Sequence, residues 1–464
     1  MTGRTSTSSA STTAGPPCDL RGSWARVPGR CRARWGLTLS TVLVTLSATA
    51  CTATPTTDAS PTSTFVVGSP WLGAFKAVTL PTPVNSLRDV DCATAELCWA
   101  VGSTAGVSGA PNGAALIATT DGGATWTGQP IPPTVGYLSA IACSDRHHCT
   151  AVGQTASGQA AVITTTTGGA IWTQQAAPAG VLDITTVSCE TDRRCLAVGS
   201  TAGGVVALVS VTPGSAWTAA GSLPATVSGA TGVSCIGDQQ CWVTVHTSVD
   251  ADHVAGAVAL TSDGGTTWTV VPTPTGIGYL NAVSCLPGSG GGSGAAPFTS
   301  STGDVASPSP VTSGTAATTP SATTPPVTTA PIAPTTTAPV VGAAGVRCTV
   351  VGTTAATLDG ARSGRGVLLT TDNGGATWTR PVVPATTAAL TGVSCTAVGT
   401  CIAVGSAVAL VAEGGVVLVS GAPARPWARA AAVGVPQPLT AVSCTSTTSC
   451  VAVGESISEH LVGG

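Results

Sequence analysis

Short apolar runs alternate with turns of small residues along most of the chain. The clearest period is a unit L-x-x-V-S-C, five residues, C-x-A-V-G, a variable loop, an apolar run, then T-x-D-G-G-x-T-W. Its fullest copy extends from Leu87 to Trp126 and contains Cys92, Cys98, Thr119, Asp121, Gly123, Thr125 and Trp126. Runs this short, rich in Val, Ala and Thr and bounded by Gly, read as β-strands. Each copy therefore predicts four antiparallel strands. Strand A is L-x-x-V-S-C, strand B is C-x-A-V-G, and strand C is a run such as Ala115–Ala118. Strand D runs from the Trp to a Pro six residues on, as in Trp126 to Pro132, Trp268 to Pro274 and Trp378 to Pro384.

Seven copies can be traced, beginning near Leu87, Leu138, Ile184, Thr231, Leu280, Leu390 and Leu439. Such a unit cannot bury its own faces and must stack on its neighbours. The expected fold is an all-β, seven-bladed β-propeller of four-stranded antiparallel blades. The last copy stops near Leu461 without a strand D, whereas Phe75 to Pro81 repeats the six-residue interval with Phe75 in the Trp position. An N-terminal strand completing the last blade would leave no raw edge at the seam; Trp71 is the other candidate for the Trp position.

Composition agrees with short strands: 8% of residues are charged and 3% aromatic. The net charge of −3 hides an asymmetry, because six of the 17 basic residues precede residue 51. From Cys51 onward, 11 basic residues face 19 acidic ones, a net of −8, which gives no electrostatic footprint for nucleic acid. Residues 1–50 read as an export signal with a long N-terminal extension: arginines up to Arg34, then an apolar run ending in Ala48-Thr-Ala50. Cys51 follows as in a bacterial lipobox, which predicts lipidation there; plain cleavage after Ala50 is the alternative. Residues 51–63 form a Thr/Pro/Ser-rich stalk, 64–464 the propeller, and 286–346 a Gly/Ser/Thr/Pro insertion inside the fifth blade, expected to be disordered.

Setting aside Cys18, Cys31 and Cys51, the cysteines fall into pairs: Cys92/Cys98, Cys143/Cys149, Cys189/Cys195, Cys235/Cys241, Cys285/Cys348, Cys395/Cys401 and Cys444/Cys450. One pair per repeat with none left over predicts a disulfide framework in an oxidising compartment. The rival, structural zinc, needs four ligands, and no His recurs beside the pairs.

The T-x-D-G-G-x-T-W stretch resembles the Asp-box turn of BNR repeats, found in sialidases and in propellers of the photosystem II stability/assembly-factor type. Asp121 with Trp126 and Asp263 with Trp268 match in full, and Asp372 to Trp378 matches with one extra residue. The resemblance implies a propeller. The residues themselves have structural reasons: a short carboxylate accepts turn N–H groups, Gly permits positive φ, and Trp fills the gap between blades.

Candidate chemistry is sparse. A sialidase needs an arginine triad and a Tyr/Glu pair. The tyrosines are Tyr137 and Tyr279, both in G-Y-L, and no spaced arginine triad is available. The best polar cluster lies on the B–C loops of copies four and five: His246, Asp250, Asp252 and His253 with Asp359, Arg362 and Arg365. D-x-D-H offers oxygen and nitrogen ligands to a divalent ion, but a solvated loop explains it as well. The expectation is a monomeric, exported, cell-surface propeller without cofactor or resident metal. It would act as a non-catalytic scaffold for a protein or cell-envelope component, anchored to the membrane only through Cys51. A divergent sialidase-like hydrolase or carbohydrate-binding propeller is the runner-up.

Overall fold

Each inner strand reaches the first cysteine of its pair or runs one or two residues past it, and those strands set the architecture. The computed structural model describes residues 63–66, 75–287 and 345–454, except 82, 105–112, 191–193, 213, 249–253, 272, 355–363, 398, 409–413, 421–426, 431 and 434–436. The chain divides into two compact units, 1–58 and 59–464, and all described residues belong to the second. The export signal, Cys51, most of the stalk and nearly all of the 286–346 insertion lie outside the described residues.

The expectation of seven four-stranded antiparallel blades is corrected: six blades are formed from consecutive strands. Blade I comprises Val84–Cys92, Cys98–Thr104, Ala114–Thr119 and Thr127–Gly128. Blade II comprises Val135–Cys143, Cys149–Thr155, Ala160–Thr165 and Thr173–Gln175. Blade III is Val181–Glu190, Arg194–Thr201, Gly204–Ser210 and Thr218–Ser222. Blade IV is Val227–Ile236, Gln240–Ser248, Val254–Thr261 and Thr269–Val271. Blade V has only Ile277–Pro287, Val346–Thr354 and Gly366–Thr371. Blade VI is Thr387–Cys395, Cys401–Ala407, Gly415–Val419 and Ala428–Arg429.

The remaining sheet is of another kind. It has five strands in the order Ala432–Val433, Phe75–Thr79, Ser63–Val66, Ser449–Gly454 and Leu439–Ser446. The Phe75 strand is present, but Ser63–Val66 lies between it and Ser449–Gly454, in the place a strand C would take. Ala432–Val433 then pairs with Phe75–Thr79 in parallel. The N-terminal segment thus supplies two strands, not one, and the sheet is mixed. Its inner strand abuts blade I, where Thr440 Oγ1 donates to the Leu87 carbonyl at 2.8 Å.

Blade V lacks its outer strand for a local reason. Thr370 and Thr379 form an isolated bridge, and that register sets Leu368 opposite Pro381. The equivalent pair in blade I is Leu116 and Gln129, joined by a bond from Gln129 N–H to the Leu116 carbonyl at 2.8 Å. Proline has no N–H to give, so the pairing stops.

The core consists of layers between neighbouring sheets. Trp99, Leu116, Leu138, Ile163 and Trp172 join blade I to blade II, for example, and Trp242, Val258, Leu280 and Leu369 join IV to V. In blades I, II, V and VI the leucine of L-x-x-V-S-C faces the glycine of C-x-A-V-G, as in Leu87 with Gly102 and Leu280 with Gly352, and in blade III Ile184 faces Gly199. A bulge follows each leucine, and a Cβ on Gly102 would overlap the Ser86 carbonyl. Blade IV exchanges both partners, pairing Ala230 with Val245.

Candidate functional site

The seven inner strands leave a channel at the centre with a cavity of ≈ 290 Å³. Its walls are built by a second rule hidden in V-S-C. The Ser188, Ser234, Ser284, Ser394 and Ser443 hydroxyls each accept from the N–H of the cysteine that starts the next A–B loop: Cys235, Cys285, Cys395, Cys444 and Cys92, at 3.0–3.3 Å. Three residues earlier, the Ser139, Thr231, Thr391 and Thr440 hydroxyls and the Asn281 amide donate to a carbonyl of the next sheet, at 2.6–2.8 Å. Inner strands have one edge without a strand partner, so these side chains satisfy backbone groups that would otherwise be orphaned.

Blade I breaks the rule. It places Arg88, Asp89 and Asp91 on the inner strand, and among the described residues they are the only charged ones that line the cavity. Asp89 accepts from Ile141 N–H at 2.9 Å, and Asp91 from Cys143 N–H at 2.7 Å, so two carboxylates bind successive outward N–H groups of blade II. Ser443 Oγ also donates to Asp91 at 3.2 Å. Both carboxylates keep an edge toward the lumen while protein surrounds them elsewhere. Burial pushes Asp89 up to about 7, assisted by the Asp91 charge and opposed by the Ile141 N–H. Burial raises Asp91 too, against the N–H of Cys143.

One mouth of the channel gathers the starts of the inner strands. There Tyr137 Oη donates to Asp183 at 3.0 Å across blades II and III, and burial followed by the Asp183 charge pushes the phenol up to about 12. Across blades IV and V the His246 ring stands edge-on to Tyr279, with centroids 4.8 Å apart. Burial holds His246 below the usual imidazole range, and its Nε2 has no partner among the described residues. Tyr279 itself is 46% exposed.

Of the candidate ligand-binding residues, Asp250, Asp252, His253, Asp359 and Arg362 lie outside the described residues. The two described members fall into separate groups: His246 meets Tyr279, and Arg365 lines a different cavity beside Arg380. Among the described residues, no group of three or more His, Cys, Asp or Glu side chains is arranged to hold a metal. Asp89 and Asp91 are legible as departures from the repeat, since other copies carry Ala, Gly, Ser or Thr there. Their partners on blade II are not.

The opposite face is occupied by the cysteine loops and the C–D turns, which bond to each other: Gly122 N–H to the Glu96 carbonyl, Gly264 N–H to that of Gln239 and Gly374 N–H to that of Val346, each at 2.9 Å. The structure links Cys92–Cys98, Cys143–Cys149, Cys189–Cys195, Cys235–Cys241, Cys285–Cys348, Cys395–Cys401 and Cys444–Cys450, all across the ends of A–B hairpins. In the first turn Asp121 accepts from Thr119 Oγ1, Thr125 N–H and Thr125 Oγ1 at 2.7–2.8 Å, and Asp263 repeats this. Those bonds hold both carboxyls down at about 2. In blade V the equivalent residue is Asn373, not Asp372: Asn373 Oδ1 accepts from Thr371 and Thr377, and its Nδ2 donates to Thr377 Oγ1. There is no extra residue; an amide replaces the carboxylate.

No family model matches the sequence, and no curated protein matches it. Solved structures share the propeller architecture. A Ycf48 bound to a D1 peptide is similar at 12% identity and a TM-score of 0.48, over 84% of this chain and 98% of that one. Ycf48 from Cyanidioschyzon merolae is similar at 14% identity and a TM-score of 0.49, over 82% and 97%. A GH74 enzyme from Niastella koreensis is similar at 12% identity and a TM-score of 0.48, over 85% of this chain and 53% of the enzyme. The disulfides are compatible with an extracellular location.

Proposed function

We propose that the chain is an exported, cell-surface, non-catalytic binding or assembly scaffold that holds a protein or cell-envelope component at the channel mouth opposite the disulfide loops. One observation carries this reading. The only two tyrosines of the chain, Tyr137 and Tyr279, sit there together with His246 and the exposed Arg88. In the other copies the tyrosine position holds Ser86, Asp183, Gly229, Ala389 or Pro438. Tyr and Arg are the side chains that most often anchor protein interfaces. The channel carboxylates, by contrast, are engaged by backbone N–H groups, which suits a rigid wall better than an acid that must exchange protons.

Anchorage through a lipidated Cys51 belongs to the same proposal. The test is chemical cross-linking on intact envelopes, comparing the wild type with Arg88→Ala/Tyr279→Ala. A specific cross-linked product lost in the variant supports the reading. The hydrolase alternative draws on Asp89, a carboxyl titrating near neutrality beside a second carboxyl. Turnover of any member of a glycoside panel, abolished by Asp89→Asn, would overturn the scaffold reading.

A further inference from the structure

The closing sheet shows from which face the N-terminal segment enters the propeller. Ser63–Val66 runs antiparallel to Ser449–Gly454, with Phe65 opposite Ala452 and Val66 opposite Val451. Gly454 lies opposite Leu439 near the start of the inner strand, whereas Cys450 lies opposite Cys444 at its disulfide end. Ser63 is therefore the mouth-side end of its strand. The neighbouring strand agrees: Thr79 pairs with Ser63, and the chain then passes directly to Val84, where the inner strand of blade I begins. The exposed side chains of Arg88, Leu182 and Tyr279 lie at that same mouth.

The long departure in blade V leaves by the opposite face. Pro287 and Val346 pair with each other just beyond the Cys285–Cys348 disulfide, so the chain between them starts and ends on the disulfide side. Lengths decide what this means for an anchored chain. Cys51 precedes Ser63 by twelve residues, which at full extension reach about 43 Å. The inner strand Val84–Cys92 is about 30 Å long. Resting on the disulfide face would hold Ser63 on the order of 20–30 Å from the bilayer and use half or more of that reach. Resting on the mouth face uses almost none of it.

We propose that the lipid-anchored chain stands with its channel mouth toward the bilayer, and that the partner held at the mouth is the outward segment of a protein inserted in the same membrane. The chain between Pro287 and Val346 then departs on the side away from the membrane. This orientation rests on the anchorage and binding readings above and names the class of partner for them. A partner confined to the same surface meets the mouth at a raised effective concentration, so a few anchoring side chains suffice.

The test reads energy transfer from a fluorophore on the full exported chain, held by its own acyl group, to an acceptor lipid in phosphatidylethanolamine/phosphatidylglycerol vesicles. The fluorophore sits on an encoded side chain at Ser157, in the B–C turn of blade II, or at Ala170, in its C–D turn; both are exposed and flank the two ends of Ala160–Thr165. Transfer from Ser157 should exceed that from Ala170 by roughly twofold or more, and the difference should shrink when a long Gly/Ser segment is inserted after Asp58. Equal transfer, stronger transfer from Ala170, or a difference indifferent to the inserted segment overturns the orientation. In intact envelopes a benzophenone side chain at Leu182 should cross-link proteins that stay with the bilayer through an alkaline carbonate wash. Adducts only to proteins that wash off, or none, overturn the partner assignment. An N-terminal peptide without an acyl group defeats the anchorage reading; a maleimide lipid coupled to Cys51 then still tests the orientation, so the failures are distinguishable.

Discussion

The junction between blades I and II and the junction between IV and V solve one problem with different chemistry. Each inserts a fully buried tryptophan, Trp99 or Trp242, from the start of strand B toward the next blade's C–D turn. Each must also satisfy N–H groups on the next inner strand. Between IV and V the agents are neutral: Ser234 accepts from Cys285 N–H, Thr231 donates to the Leu280 carbonyl, and Trp242 Nε1 donates to the Gly374 carbonyl at 2.9 Å. Between I and II they are the Asp89 and Asp91 carboxylates, and Trp99 Nε1 has no partner among the described residues. The neutral junction is satisfied at every pH; the charged one is satisfied against a desolvation cost that grows as protons leave. A repeat can therefore keep its geometry while changing what its stability responds to.

The comparison is broken most severely by truncating either tryptophan. Trp99→Ala and Trp242→Ala should each cost about 3–5 kcal/mol, read as a drop in the denaturant midpoint. Removing one neutral acceptor is milder. Ser234→Ala leaves Cys285 N–H without its partner and should cost about 1–2 kcal/mol in the same titration. Trp→Phe separates the junctions more finely, because Trp242→Phe loses a hydrogen bond and Trp99→Phe loses none. The Trp242 variant should be the less stable of the two by about 1 kcal/mol; equal losses would show that the Gly374 contact contributes nothing.

The pH response separates the two junctions by their charge. Asp89 rises from 3.8 to about 7 on folding, so its contribution to stability is fully present below pH 3.8 and is lost as pH climbs toward 7. Glu190, raised by burial from 4.5 to about 7, acts with the same sign. Asp121 and Asp263, held at about 2, act oppositely, their contribution fading only as pH falls below 3.8. Thermal stability should thus be higher near pH 5 than near pH 8. Asp89→Asn should flatten that slope, and Ser234→Ala should leave it unchanged.

Much of the fold is legible residue by residue. Leu87, Gly102, Cys92, Cys98 and Thr119 announce strands and turns because each acts on neighbours within one hairpin. Blade V shows the limit. Its outer strand reads well from Trp378 to Pro384, but a single missing N–H at Pro381 outweighs the periodicity, and that depends on the register against Leu368. The candidate site was less legible still. Asp89 and Asp91 are visible as exceptions to the repeat, yet their meaning depends on Ile141 and Cys143, 52 residues away in sequence.

Sequence alone determined the strand-forming units, their A–B cysteine pairs and the hydrogen-bonded turns, because, Cys285–Cys348 apart, those interactions close within a few residues and most copies repeat them. Tertiary structure decided how the ring is completed and which exceptions matter. Six blades stack with a mixed sheet in which Ser63–Val66 lies beside Ser449–Gly454. No local pattern encodes that pairing. Strand edges present the same N–H and C=O groups whatever the side chains, so which edge meets which is settled only when the whole ring has folded.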